Sequence, residues 1–108
     1  MKLENTKVQM RKGIVEFCVL TTIARGEVYT SDLISKLTKS KMIVVEGTLY
    51  PLLTRLKNAA LLEYNWVESS SGPPRKYYKI TKKGKTFLKE LTSTWEAIQE
   101  STNLIINS

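Results

Sequence analysis

The sequence predicts a mainly α-helical chain with one small β-hairpin, a winged helix-turn-helix unit followed by a C-terminal dimerisation helix. Three observations carry this. Apolar residues recur at helical spacing in four stretches. An alternating run, a Ser/Gly/Pro turn and a second β-rich run lie between the third and fourth stretches. The final stretch keeps the seven-residue rhythm of a coiled coil. Residues 1–81 are therefore expected to form the winged unit. Residues 82–108 are expected to form a helix packed against the first one, the whole being one structural unit.

The first helix is expected from about Lys7 to Ala24, ending at Gly26. Val8, Val15, Val19 and Ile23 make one apolar stripe, and Met10, Ile14, Phe17 and Leu20 make a second beside it. A helix apolar around so much of its girth is usually buried between two neighbours. In so short a chain the second neighbour can come from another subunit. The second helix begins near Thr30 or Ser31, either of which can cap its free N–H groups, with Asp32 favourable at the dipole. Leu33, Ile34 and Leu37 face inward, and Ser40-Lys41-Met42 forms the turn.

The third helix starts at about Glu46. Leu49, Leu52, Leu53 and Leu56 occupy one face, while Thr48, Tyr50, Thr54, Arg55 and Lys57 lie on the other. A helix anchored by one face and offering hydrogen-bond donors and cations on the other is built like a recognition helix for the DNA major groove. Pro51 fits only near the helix start, in the first turn or just past it, because an interior proline costs about 3 kcal/mol. The second and third helices then read as a helix-turn-helix pair.

Leu61 to Glu68 reads as a strand, with Leu62, Tyr64 and Trp66 alternating against Glu63, Asn65 and Val67. Ser69 to Pro74 is a turn by composition, and Arg75 to Thr81 is the second strand of a basic wing. Thr81 or the pair Lys82-Lys83 opens the last helix. Leu88, Leu91, Trp95, Ile98, Thr102 and Ile105 are spaced 3, 4, 3, 4 and 3. Dimerisation is expected through Leu88, Leu91, Trp95, Ile98 and Ile105, which is compatible with packing against the first helix.

The 108 residues carry a net charge of +7, from 17 Lys+Arg against 10 Asp+Glu. Such an excess commonly marks a polyanionic partner or an anionic membrane. It is concentrated from Arg75 to Lys89, where seven basic residues stand without an acid; after Lys89 only Glu90, Glu96 and Glu100 are charged. Histidine is absent, and Cys18 is the only cysteine. A disulfide framework and a Cys/His metal cluster are thus excluded within one chain, and Cys18 is expected to be a small buried hydrophobe. No nucleophile–base pair can be assembled, so neither an enzyme nor a cofactor or metal site is expected. No apolar run of about 18 residues or signal-peptide core is present, so a cytoplasmic protein without a membrane partner is expected.

Gly-Thr-Leu-Tyr-Pro-Leu-Leu-Thr-Arg-Leu (47–56), followed by a hairpin and Gly-Pro-Pro-Arg-Lys-Tyr-Tyr-Lys-Ile-Thr-Lys-Lys-Gly (72–84), resembles the PadR family of bacterial transcriptional regulators. The likeness runs to about Trp95 and is greatest to the short members without a long C-terminal domain. It implies a homodimeric repressor joined through the first and last helices, bound to a pseudo-palindromic operator in double-stranded DNA. Gly47, Thr48, Tyr50, Thr54 and Arg55 match the family's recognition motif. Gly72, Pro73, Arg75 and Lys76 match its wing, and Tyr77 and Tyr78 its paired aromatics. The expected DNA-binding residues are Gly47, Thr48, Tyr50, Thr54, Arg55, Lys57, Arg75 and Lys76. Two positions depart from the family pattern. Tyr29-Thr30-Ser31 replaces a Tyr-Gly pair, and Val44-Val45-Glu46 replaces a small polar cap. Similar drug-responsive regulators stack planar aromatics on a tryptophan at the dimer centre. By that resemblance, Trp95 with Ile14, Val15 and Ile98 would line an effector site, the alternative being plain packing of the dimer interface. The alternative is a winged-helix protein-interaction module without DNA binding.

Overall fold

A computed structural model describes residues 1–108. The order is α1 (Leu3–Ala24), β1 (Val28–Tyr29), α2 (Thr30–Lys39), α3 (Glu46–Asn58), β2 (Leu62–Ser69), β3 (Gly72–Ile80) and α4 (Lys82–Ile106). The three strands form one antiparallel sheet in the order β1-β3-β2. This is a winged helix with a long C-terminal helix, the predicted fold class. The sequence reading lacked β1, whose two residues pair Val28 with Tyr78 and Tyr29 with Tyr77. So short a strand has no periodicity of its own, and its partner lies some fifty residues onward.

The core collects the last part of α1 (Val19, Leu20, Ile23), Leu33 and Leu37 of α2, and all four leucines of α3. Leu62, Tyr78 and Ile80 of the sheet close it. The first half of α1 stays outside: Val8 is 54% exposed and Met10 75%. Two apolar stripes along the whole of α1 therefore do not find cover within the chain.

Neither Thr30 nor Ser31 caps α2. The cap residue is Tyr29, in extended backbone, and no side-chain cap bond forms, because the chain passes directly from β1 into the helix. Val45 holds the same place before α3, where the backbone N–H groups of Thr48 and Leu49 donate to its carbonyl at 3.0 Å. Pro51 is the sixth residue of α3 and is exposed. It deprives the Gly47 carbonyl of an intrahelical donor on the solvent side, where water replaces the bond.

α2 and α3 stop in the same way. Met42 N–H donates to Leu37 O and Lys41 N–H to Thr38 O; Leu61 N–H donates to Leu56 O and Ala60 N–H to Lys57 O. This paired bonding is the Schellman motif. Its left-handed residue is Lys41 (φ 65°) in one helix and Ala60 (φ 62°) in the other, so neither stop is marked by glycine.

The start of α4 is tied to the end of α3. Thr81 Oγ1 accepts from Gly84 N–H at 2.9 Å and donates to the Ala60 carbonyl at 2.7 Å. Lys83 Nζ donates to the Ala59 carbonyl at 3.1 Å. Gly84 is buried; a Cβ there would fall on the Leu61 carbonyl oxygen and within 2.6 Å of Ile80 Cγ1. Leu88 and Leu91 then pack half-buried against the same core. The first two positions of the predicted seam are thus occupied by the domain's own side chains. Beyond Trp95 every residue of α4 is exposed. No helix is long and apolar enough to cross a membrane.

Candidate nucleic-acid interface

With its four leucines inward, α3 distributes the remaining residues at about 100° per position. Gly47, Pro51, Thr54 and Asn58 form the outward crest, all exposed. Tyr50 and Lys57 lean to the hairpin flank, while Thr48 and Arg55 lean to the α1 flank. Nothing lies within 4 Å of the Cβ position of Gly47, so another molecule's backbone can approach the helix closely there.

On the hairpin flank, Tyr50 shares a cleft of about 420 Å³ with Tyr29, Ser31, Trp66, Arg75 and Lys76, and no acidic residue lines it. The cations are held against rings. Lys76 Nζ stands 4.6 Å from the Tyr64 ring centre and 5.4 Å from that of Trp66, and the Arg75 guanidinium lies 5.7 Å from the ring of Tyr29. Lys57 Nζ approaches Tyr64 from α3 at 6.0 Å. Exposed cation–π contacts contribute roughly 0.5–1 kcal/mol each. Their larger effect here is to order the long basic side chains that line the cleft. Tyr29 in turn meets the tilted ring of Tyr77 at 4.7 Å, so the cleft wall continues into the sheet. Burial, followed by the neighbouring Tyr64 and Tyr50, pushes the Tyr78 phenol up from its ordinary pKa, keeping it a neutral core group.

Trp66 departs from the predicted alternation. It shares a face with Leu62 and Tyr64 and pairs across the hairpin with Lys76, yet it is 63% exposed. The hairpin has by then run past the last core residue, so its inner face looks onto solvent beside α3. On the opposite flank Arg55 pairs with Glu16 of α1 at 3.6 Å. With the guanidinium side chain 61% exposed, this is a surface pair in contact with water.

An outward helix crest beside a cationic, aromatic-backed wing is the arrangement of winged-helix DNA readers. Residues 19–90 match the transcriptional regulator PadR-like family. The chain belongs to that family. It is 56% identical to a PadR-like transcription factor from Bacteroides fragilis, over 94% of this chain and 98% of the other, with a TM-score of 0.80. A PadR-like transcriptional regulator from Bacillus cereus is 40% identical over 93% and 98%, with a TM-score of 0.82. A PadR family regulator from Eggerthella lenta is 27% identical over 98% and 93%, with a TM-score of 0.88. The chain is accordingly a DNA-binding transcriptional regulator of PadR type.

In this PadR-like protein the predicted contact residues divide between two flanks. Tyr50, Lys57, Arg75 and Lys76 gather on the hairpin side. Thr48 and Arg55 turn toward α1, and Gly47 and Thr54 sit between them on the crest. The cleft and crest also include Tyr29, which the sequence reading named only as a departure from the family pattern, Ser31 and Trp66, read as a cap and a strand residue, and Asn58, assigned only to the helix end. The basic cross-strand partner of Trp66 was the one available signal that its side of the hairpin faces water. The expected effector group also divides. Trp95 meets Phe17 of α1 at 6.5 Å, whereas Val15, about 200° around that helix, lines a cleft against α3. Ile14 lies near the Phe17 side, and Ile98 is 53% exposed.

Proposed function

We propose that this regulator is a homodimeric repressor that lays α3 in the major groove and sets its hairpin against the flanking backbone. The observation that carries the reading is the acid-free cleft joining Tyr50 of α3 to Arg75 and Lys76 of the hairpin. In this reading Lys57, Arg75 and Lys76 meet phosphates and fix the register. Gly47, Tyr50 and Thr54 approach base edges. Arg55 leaves a weak surface ion pair to join Thr48 on the far flank, where bidentate contact to guanine would discriminate by roughly 1–3 kcal/mol. The dimer is formed through α1 and α4, with Ile98 and Ile105 still exposed along the seam after Leu88 and Leu91 have joined the core and Trp95 has met Phe17. A planar hydrophobic effector resting on Trp95 would release the operator. Phe17, already beside that ring, is a better second wall than Val15.

The test is the salt dependence of DNA affinity. Each phosphate contact adds roughly 0.9 to the slope of log K against log salt. Replacing Arg75 and Lys76 by alanine is expected to lower the slope by about 2. A shallow slope in the unaltered protein, or one indifferent to these changes, would favour a protein-interaction module and overturn the proposal. Footprinting is expected to show two half-sites about one helical turn apart. For the effector, planar aromatic dyes should quench fluorescence in a manner lost on Trp95→Ala while Trp66 remains. Quenching unchanged by that substitution removes the effector site.

A further inference from the structure

Along the inner face of the hairpin the cross-strand pairs change character step by step. Leu62 faces Ile80 in the core, Tyr64 faces Tyr78 at its edge, and Trp66 faces Lys76 beyond it. The outermost pair joins an indole that is 63% exposed to an ammonium 5.4 Å from its ring centre. Tyr64 meets that indole nearly at right angles, at 87° with centroids 5.9 Å apart, and so fixes its place. A single exposed hydrophobe is ordinary on a protein surface. Trp66 is not single: it shares the acid-free cleft with Tyr50, itself 48% exposed, and with both cations of β3.

We propose that this outermost pair grips one sugar–phosphate unit of the bound DNA strand, Trp66 covering the apolar face of a deoxyribose and Lys76 meeting the adjoining phosphate. The inference rests on the reading of α3 and the hairpin as a DNA-binding surface. It adds an apolar contact, from a residue so far without a role there, to the ionic ones.

The argument for this occupant is one of matched chemistry. A DNA strand alternates an anion with a sugar whose C–H groups are apolar, and the pair at the end of the hairpin sets an ammonium beside an indole. A base edge is a poorer match. Each base pair offers a pattern of donors and acceptors in the groove, whereas an indole has one N–H donor and no acceptor. Trp66 also lies away from the crest of α3, on the flank shared with Tyr50, where the groove gives way to the backbone. A contact to sugar carries no sequence information and acts by fixing register. Lys76 and Arg75 are long and can follow a phosphate, but the indole is braced by Tyr64. Trp66 therefore sets how deeply Tyr50 and Thr54 reach toward the bases.

The test uses the full chain and the duplex defined by footprinting. Tryptophan emission is recorded with and without saturating duplex for the unaltered protein and for Trp66→Phe, and the difference between them belongs to Trp66. The expected result is a blue shift of that component and its protection from acrylamide when DNA is bound. Trp66→Ala is expected to weaken binding about tenfold, the effect of returning roughly 60 Å² of apolar surface to water. The slope of log K against log salt should stay unchanged, because no counterion is released by an apolar contact. Trp66→Phe should keep most of the affinity. A Trp66 component indifferent to DNA, or an alanine variant that binds as well as the unaltered protein, overturns the contact. So does an alanine variant whose salt slope falls by about 0.9, since the indole would then serve only to hold Lys76 on its phosphate. A steep slope in the unaltered protein with a silent Trp66 removes this contact alone, whereas a shallow slope removes the DNA-binding reading beneath it.

Discussion

The two ends of α4 are built on opposite principles. Its first turn is held by Thr81, Lys83 and Gly84 against the carbonyls of residues 59–61, with no space to spare. Its last turns are exposed throughout, although they carry Ile98, Leu104, Ile105 and Ile106. The first half of α1 resembles that free end, and its own Gly13 has nothing within 4 Å of its Cβ position. The contrast teaches that one continuous helix can be tied into the core at one end and left uncovered at the other. The direction set at the tied end decides where the free end is presented.

Substitution at the two glycines probes the contrast most sharply. Gly84→Ala is expected to cost about 3 kcal/mol, because a backbone oxygen would have to move to admit the methyl group. Urea unfolding measures this, and a loss under about 1 kcal/mol would mean the tied end is loose. Next in size is Thr81→Ala, which leaves Gly84 N–H and the Ala60 carbonyl without their partner; a loss of about 1–2 kcal/mol is expected in the same assay. Gly13→Ala has the reverse sign. It should raise thermal stability by about 0.5–1 kcal/mol, since a helix interior prefers alanine. A fall instead would reveal a partner helix lying against position 13. Smallest is Ile106→Ser, expected to shift monomer stability by less than about 0.5 kcal/mol, a surface-sized effect. A larger loss in dilute, monomeric protein would show that α4's last turn packs on its own chain after all.

Much of the reading surface was legible because it depends on spacing. The four leucines of α3 recur at helical intervals, and whatever lies between them must face away. The hairpin was legible from its Ser/Gly/Pro turn between two β-rich runs. What escaped was non-local. β1 exists only because Tyr77 and Tyr78 lie beside it. The helix stops at Lys41 and Ala60 use left-handed backbone without glycine, so no residue type marked them. Trp66 and Leu62 share one face of one strand, but the domain ends between them. Tyr29 and Ser31 came to the cleft through the close approach of β1 to the hairpin, which no pattern within residues 28–31 encodes.

The sequence by itself determined which side chains share a face: the leucines under α3, the cations along β3 and the start of α4, and the apolar seam of α4. The tertiary structure alone decided what covers each face. It spent Leu88 and Leu91 on the core, turned Val15 away from Trp95, and set Arg55 beside Glu16 rather than beside the hairpin. The physical reason is range. Periodicity arises from backbone geometry over a few residues, whereas cover is a contact between segments far apart in the chain, fixed only when every element is packed.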